Sequence, residues 1–275
     1  MCTVGVVRNK DGQILLFKNM DQVGISDYPE PEITTGGEHA YLGFGTKLSG
    51  PCGIWAGINE RNLALVGADG NAIINRQGRD FGSLNLSLYA YRDVLAHCAD
   101  IYSGIKFLMR YYQDKRIGGD GDIIMLADRT DAVALEYCYP NWGIEFLGAR
   151  SYLVRTNFFK IMTHLRPPIE DNSINYSSAL RYGKTFERLS IKGSNTDIDD
   201  ILNLLRDHSH GPSAMSICRH GGAGEYLTRC ATVFSLEQVA TRVYYVVNGY
   251  PCEKLFTQVL PDWRKARLVQ ESCAC

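Results

Sequence analysis

Two apolar runs flanking Asp11-Gly12 constrain this chain more than any other feature. Val6 and Val7 stand on one side, and Ile14, Leu15, Leu16 and Phe17 on the other, in succession rather than in alternation. A strand with one wet face alternates apolar and polar residues. A strand that is apolar at successive positions is covered on both faces. Asp-Gly favours a two-residue type I′ hairpin, so residues 3–8 and 13–18 are expected to pair as strands buried on both sides.

Similar patterns recur downstream. Residues 53–57 and 63–66 read as a second hairpin turned at 59–62, and 122–126 with 132–136 as a third turned at 128–131. Apolar residues at three- and four-residue spacing mark helices over 86–99 and 101–112, and further helices fit 178–189 and 197–207. Strand-like segments 231–236 and 243–247 follow. Strands joined by hairpins, with helix pairs between them, predict an α+β fold of two mainly antiparallel sheets. Helices outside both sheets, a four-layer αββα sandwich, would cover the two-sided strands. The absence of repeats or a Pro/Ser-rich linker suits a single domain over 1–275.

Composition narrows the function. Apolar residues make up 45% and charged residues 21%, enough for a large core. With 29 basic and 30 acidic residues there is no basic excess to bind nucleic acid or an anionic membrane. No apolar run approaches the roughly 18 residues of a membrane span, and the N-terminus lacks the pattern of a secretory signal. Nine scattered cysteines are then expected to be reduced thiols in a cytoplasmic protein. Cys273-Ala274-Cys275 has no second cysteine pair or histidine cluster at zinc spacing, so no metal or other cofactor is expected. His208 and His210 suit a helix end before Gly211, and Gly221-Gly222-Ala223-Gly224 lacks a phosphate-loop lysine. A homo-oligomer stays open.

The chemistry concentrates at Cys2. Removal of Met1 would leave a thiol and an α-amine on one residue, with reference pKa values of about 8.5 and 7.7–8.0. The amine can then act as base for its own nucleophile. Taken alone, Cys2 reads more readily as an inert small residue at a chain end. A two-residue loop at Asp11-Gly12 would set Asp21 directly opposite Cys2, able to orient the amine. The same register puts Lys18 opposite Gly5 on the other face, so Lys18 reaches Cys2 only if the strand bulges or ends beyond it.

Cys2-Thr3 followed by Lys18-Asn19-Met20-Asp21 resembles the N-terminal-nucleophile hydrolases of the choloylglycine hydrolase and penicillin V acylase type. It also resembles the related acyl-coenzyme A:6-aminopenicillanate acyltransferases. Gly57-Ile58-Asn59-Glu60 and Thr156-Asn157-Phe158 resemble segments of those families. Asp207-His208, Cys218-Arg219-His220 and Pro251-Cys252 are similar to the acyltransferase branch, and Thr228-Arg229 matches a late arginine position. The resemblance implies the αββα fold and five catalytic positions: Cys2, Lys18, Asp21, Asn157 and Arg229. By it Cys2 is nucleophile and base, Asp21 orients the amine and Asn157 donates to the oxyanion. Lys18 and Arg229 favour the thiolate or polarise the substrate. Two departures stand out. Lys18 occupies a usual arginine position, and Asp69 a usual oxyanion-hole asparagine position. A carboxylate cannot donate, so either Asn71 or main-chain N–H groups replace it at the substrate, or the reaction differs.

The expected reaction is cleavage of a small linear amide through a Cys2 acyl-thioester. The alternative is acyl transfer to an amine from an amide, acyl-coenzyme A or carrier-protein thioester donor. Aromatic residues Tyr28, Tyr41, Phe44, Trp55 and Trp142 are candidates for an acyl pocket. A glutamine amidotransferase also begins Met-Cys, but its Arg-Gly-Pro-Asp and His-Asn-Gly signatures are missing. A non-catalytic binder on the same fold is the remaining class.

Overall fold

The computed structural model describes residues 1–24, 27–45, 53–71, 83–115, 121–170, 174–221 and 225–268. In chain order the first strands are β1 (Cys2–Arg8), β2 (Ile14–Val23), β3 (Glu32–Thr35), β4 (Ala40–Gly45), β5 (Ile54–Asn59) and β6 (Ala64–Asp69). Helices α1 (Ser83–His97) and α2 (Ile101–Lys115) precede β7 (Asp122–Ala127), β8 (Ala132–Cys138), β9 (Asn141–Phe146) and β10 (Tyr152–Arg155). Then come α3 (Ile174–Lys192), α4 (Ile198–Leu205), β11 (Tyr226–Leu236), β12 (Thr241–Val246), β13 (Thr257–Val259) and β14 (Arg267–Leu268). One sheet runs β10-β1-β2-β11-β12-β13; the other runs β14-β3-β4-β5-β6-β7-β8-β9. Every pairing is antiparallel except the short β14 beside β3.

Three cores follow from strand parity. Val4, Val6, Ile14 and Leu16 point between the sheets to meet Phe44, Ala56, Ile58 and Val66. Their neighbours Val7, Leu15 and Phe17 point outward against Leu189, Ile201 and Leu205 of α3 and α4. Leu65, Ile124 and Leu135 pack outward against Val94, Leu95 and Leu108 of α1 and α2. The consecutive apolar residues therefore serve two cores each, and the αββα layering is the one the sequence predicts.

The first hairpin departs from expectation by one residue. Cys2 pairs with Met20, Val4 with Lys18 and Arg8 with Ile14. The loop is Lys10-Asp11-Gly12, with Gly12 at φ +78°, so it is a three-residue loop in which glycine takes the left-handed position. Asn9 closes it: its side-chain oxygen accepts from the Asp11 and Gln13 N–H groups. Because side chains alternate faces, this slip has a large consequence. Lys18 joins Cys2 on the inner face, with no bulge needed between them. Asp21 is not opposite Cys2; its carboxylate lies on the helix side of the sheet.

Short strands β3, β4, β9, β10 and β13 were not legible from apolar runs; β9, for instance, buries only Gly143. Two asparagines of the quoted motifs prove to be struts. Asn19 donates to the Leu205 and Ile217 carbonyls, tying β2 to the end of α4. Asn59 donates to Leu95 and Cys98 and accepts from the Arg61 and Leu63 N–H groups, fastening the β5–β6 turn to the end of α1. The segment after β10 is held by Glu136, fully buried, which accepts from the N–H groups of Lys160, Ile161 and Met162. Arg155 Nε balances its charge at 2.7 Å. Glu136→Ala would leave a buried guanidinium and three N–H groups short of partners. Urea denaturation should show a loss of about 3–5 kcal/mol; a loss under about 1 kcal/mol would mean that Glu136 does not organise this segment.

Candidate active site

A cleft of about 350 Å³ opens beside the start of β1. Met1, Cys2, Lys18 and Asp21 line it together with Trp55, Gly67, Asp69 and Asp122. Four of the five expected catalytic residues thus meet within one region, although Asn157 enters through the Cys2 main chain rather than the cleft wall. Cys2 is buried, with Sγ 3.8 Å from Met20 Sδ. Its N–H donates to Asn157 Oδ1 at 2.6 Å.

The orientation of the Asn157 amide is set by its partners. Oδ1 receives N–H groups from Cys2 and Arg181, neither of which can accept, and Nδ2 donates to the Asp69 carbonyl at 3.1 Å. The amide N–H that the resemblance assigns to an oxyanion is therefore engaged by main chain. Asn157 offers Cys2 its oxygen.

Lys18 is buried on the inner face, donating to the Gly67 carbonyl, with Nζ 5.2 Å from the Trp55 ring centroid. A cation desolvated this way keeps two partners, one carbonyl dipole and one π-face. Asp21 accepts from Thr228 Oγ1 at 2.7 Å through Oδ1. Its Oδ2 lies 3.6 Å from Arg219 and 3.9 Å from Arg181. Arg181, on α3 and fully buried, is the hub. It donates to Cys2 O at 2.6 Å, Thr3 Oγ1 at 2.9 Å, Asn157 Oδ1 at 3.2 Å and Ser178 Oγ at 3.1 Å. Burial pulls its pKa down to about 10, against the opposing pull of Asp21. Neither Arg181 nor Arg219 was named as a site residue from sequence. Arg219 sits in a quoted motif, whereas Arg181 carries no local signal at all.

Arg229 does not join this group. It occupies the bulge between Thr228 and Cys230, and its Nε is buried without a partner. Among the described residues no hydrogen bond or ion pair links it to Cys2 or Asp21; its charge acts on Tyr28. Tyr28 is itself buried with an unpartnered hydroxyl, pushed far above the usual tyrosine range by desolvation. Of the other aromatics, Trp55 lines the cleft and Tyr28 packs edge-on against it. Phe44 belongs to the core between the sheets. Tyr41 and Trp142 lie under α1 and α2.

The far wall carries two carboxylates on paired strands, Asp69 opposite Asp122. The Asp69 side chain is half-exposed and lies 3.8 Å from the Met1 amino group. Asn71, at φ +46°, donates through Nδ2 to Met1 Sδ at 3.6 Å. Asp122 is buried and accepts from the Tyr91 hydroxyl at 2.5 Å and from Tyr112. Burial pushes its pKa up to about 6, outweighing the two tyrosine hydrogen bonds that favour the charge; the Asp69 charge adds to the rise.

Sequence spacing suggested no metal ligands, yet the fold gathers His208, Cys218, His220 and Cys252 so that their ligating atoms all lie within 4.8 Å of one another. Cys273 and Cys275 lie outside the described residues, and six described cysteines are free thiols. No described helix is long and apolar enough to cross a membrane.

The raised pKa of Asp122 has a sign. The folded chain holds a proton that the unfolded chain releases between about pH 4 and 6, so this contribution is full at low pH and fades as pH rises through 6. Asp122→Asn stays neutral throughout. Urea titrations should find wild type losing about 2–3 kcal/mol relative to the variant between about pH 4 and 7. Parallel profiles would exclude a titrating Asp122.

No protein-family model and no curated protein sequence matches the chain. Solved structures do. A mutant conjugated bile acid hydrolase from Clostridium perfringens aligns at 13% identity and TM-score 0.54 over 98% of this chain and 99% of its own. The Caenorhabditis elegans ortholog of N-acylethanolamine-hydrolyzing acid amidase aligns at 16% identity and TM-score 0.55, over 84% and 92%. Penicillin V acylase from Agrobacterium tumefaciens aligns at 12% identity and TM-score 0.51, over 90% and 83%. The chain has the fold of the N-terminal-nucleophile hydrolases of the choloylglycine hydrolase and penicillin V acylase type.

Proposed function

We propose that this chain is a cysteine N-terminal-nucleophile enzyme that cleaves a small linear amide after Met1 is removed. The observation that carries the reading is the convergence on Cys2: its nitrogen meets Asn157 Oδ1 at 2.6 Å while its thiol lines an apolar cleft with Lys18 on the same face. Without Met1 that nitrogen is an α-amine, and an acceptor-only partner suits an amine that must cycle through its protonated form. The hydrolase and amidase names among the structural neighbours favour amide cleavage over a binding role.

The steps balance on these groups. The Sγ proton passes to the α-amine as the C–S bond forms, and the carbonyl oxygen becomes an oxyanion. Collapse breaks the C–N bond, and the departing amine takes the proton from the α-ammonium. Water then adds to the thioester, gives its proton to the α-amine, and C–S cleavage releases the acid and restores the thiol. An amine replacing water would give acyl transfer through the same thioester.

Met1 marks where the oxyanion donors would stand. The Asp21 N–H donates to the Met1 carbonyl at 2.9 Å, and Asn71 Nδ2 contacts Met1 Sδ. Both are released when Met1 leaves, and they supply the donors that the Asp69 carboxylate cannot. Lys18 opposes the developing negative charge as a point cation, in place of an arginine fork. Asp21 acts through the guanidiniums it pairs, Arg181 and Arg219, and Arg229 acts on Tyr28 rather than on substrate. Met20, Val23, Trp55 and Leu88 suit an apolar acyl group, leaving the amine half toward half-exposed Asp69.

Intact mass should show mature chain lacking Met1; retained Met1 in active protein would sink the amine-as-base mechanism. Incubation with N-acyl amides and acyl thioesters should acylate Cys2, with Cys2→Ala at least about 10³-fold less active. Products formed with added amines distinguish transfer from hydrolysis. No adduct with any donor, and no difference in Cys2→Ala, would favour the binder. Asn71→Gly, which tolerates the positive φ, should lower kcat about 10²–10³-fold with little change in KM. Unchanged kcat would remove Asn71 from the oxyanion site.

A further inference from the structure

His208, Cys218, His220 and Cys252 form a side-chain cluster outside the cleft that the proposed reaction does not use. They come from three separate places: the end of α4, the segment leading to β11, and the turn after β12. Cys218 Sγ and Cys252 Sγ are 3.5 Å apart. His220 Nε2 is 3.3 Å from Cys252 Sγ and 3.8 Å from Cys218 Sγ. The His208 ring meets that of His220 edge-on at 4.7 Å, and His208 Nε2 is buried without a hydrogen-bond partner. Zinc bound at about 2.3 Å to sulfur and 2.0–2.1 Å to nitrogen sets tetrahedral edges of about 3.8 Å for S···S and about 3.5 Å for S···N. The three measured edges fall within a few tenths of an ångström of these.

We propose that these four side chains bind one zinc ion, as a closed Cys2His2 structural site. Two thiolates and two imidazoles match the borderline-soft, tetrahedral preference of zinc. Four protein ligands leave no position for water, so the ion fastens structure and performs no hydrolysis. A disulfide between Cys218 and Cys252 would account for the sulfurs alone; it gives no reason for two imidazoles to converge on them.

The segments around the cluster are already arranged for it. The Cys218 N–H bonds the Asp207 carbonyl, beside His208, and Arg206 Nε bonds the Pro251 carbonyl, beside Cys252. His220 is stacked on Tyr250 at 3.8 Å, which fixes the ring plane. The consequence reaches the cleft, because Cys218 and His220 flank Arg219, the guanidinium 3.6 Å from Asp21. The ion would hold that arginine in place from both sides along the chain.

The test is native mass spectrometry and elemental analysis of the full chain expressed with zinc supplied. We expect one zinc per chain, retained in Cys98→Ala and lost in Cys218→Ser with Cys252→Ser. Exchange with cobalt(II) alone should give the intense visible bands of tetrahedral cobalt and a thiolate-to-cobalt charge-transfer band. The wild-type chain decides the matter even if the double variant fails to fold. Zinc at background level with no cobalt spectrum overturns the site. A non-reducing peptide map joining Cys218 to Cys252, in chain lighter by two hydrogens, overturns it in favour of a disulfide. These readouts do not depend on Cys2 activity, so the metal site and the amidase reading fail separately.

Discussion

The Arg181 guanidinium ties this structure together. It is fully buried, and a buried guanidinium is tolerated only when its donors are used and a counter-charge is near. Its partners come from several elements: the Cys2 carbonyl and Thr3 hydroxyl of β1, the Asn157 oxygen after β10, and the Asp21 carboxylate of β2. Packing α3 on the sheet and placing the Cys2 nitrogen against Asn157 are therefore one event. A lysine could supply the charge but not the planar fork that reaches several acceptors at once. Even pulled down to about 10 by burial, the group stays cationic at neutral pH.

The layers were legible in the sequence because the signal was local. Val6-Val7 and Ile14-Leu15-Leu16-Phe17 each serve two cores, and only a strand between two layers reads that way. The register was not, because one glycine in a turn suits either a two-residue or a three-residue loop, and the difference moves Lys18 and Asp21 to opposite faces. Asn9, whose oxygen closes the longer loop, was the signal that distinguishes them. Cys2, Lys18 and Asn157 were legible as neighbours only through resemblance. Arg181 was not, since a single arginine inside an amphipathic helix looks like a solvated one. The histidine and cysteine cluster spans 208 to 252 over separate turns, so no spacing rule finds it.

The wall opposite Cys2 follows a different electrostatic logic from the arginine clamp. Asp69 and Asp122 pair across β6 and β7, and two like charges so placed raise the cost of ionising the inner one. Tyr91 and Tyr112 give Asp122 two donors without bringing a cation. The buried carboxylate thus neither needs nor competes for Lys18, whose ammonium instead caps the Gly67 carbonyl on the same strand as Asp69. Positive charge gathers on the Cys2 side and negative charge at the mouth, a polarity that suits an acyl group held inward and an amine leaving outward.

Met1 shows how little separates a strand end from a binding site. Its main chain extends β1 by pairing with Asp21 through both N–H and carbonyl, and its side chain sits against Asn71. Two of those contacts, with the Asp21 N–H and with Asn71 Nδ2, engage donors that the proposed reaction wants free. Removing a single residue would cost the sheet one terminal pair and leave two unused donors and an acceptor facing a cleft. The surrounding structure need not move, because Cys2 is anchored through its own carbonyl by Arg181 and through its nitrogen by Asn157. The nucleophile would be pre-positioned by interactions that the first residue does not share.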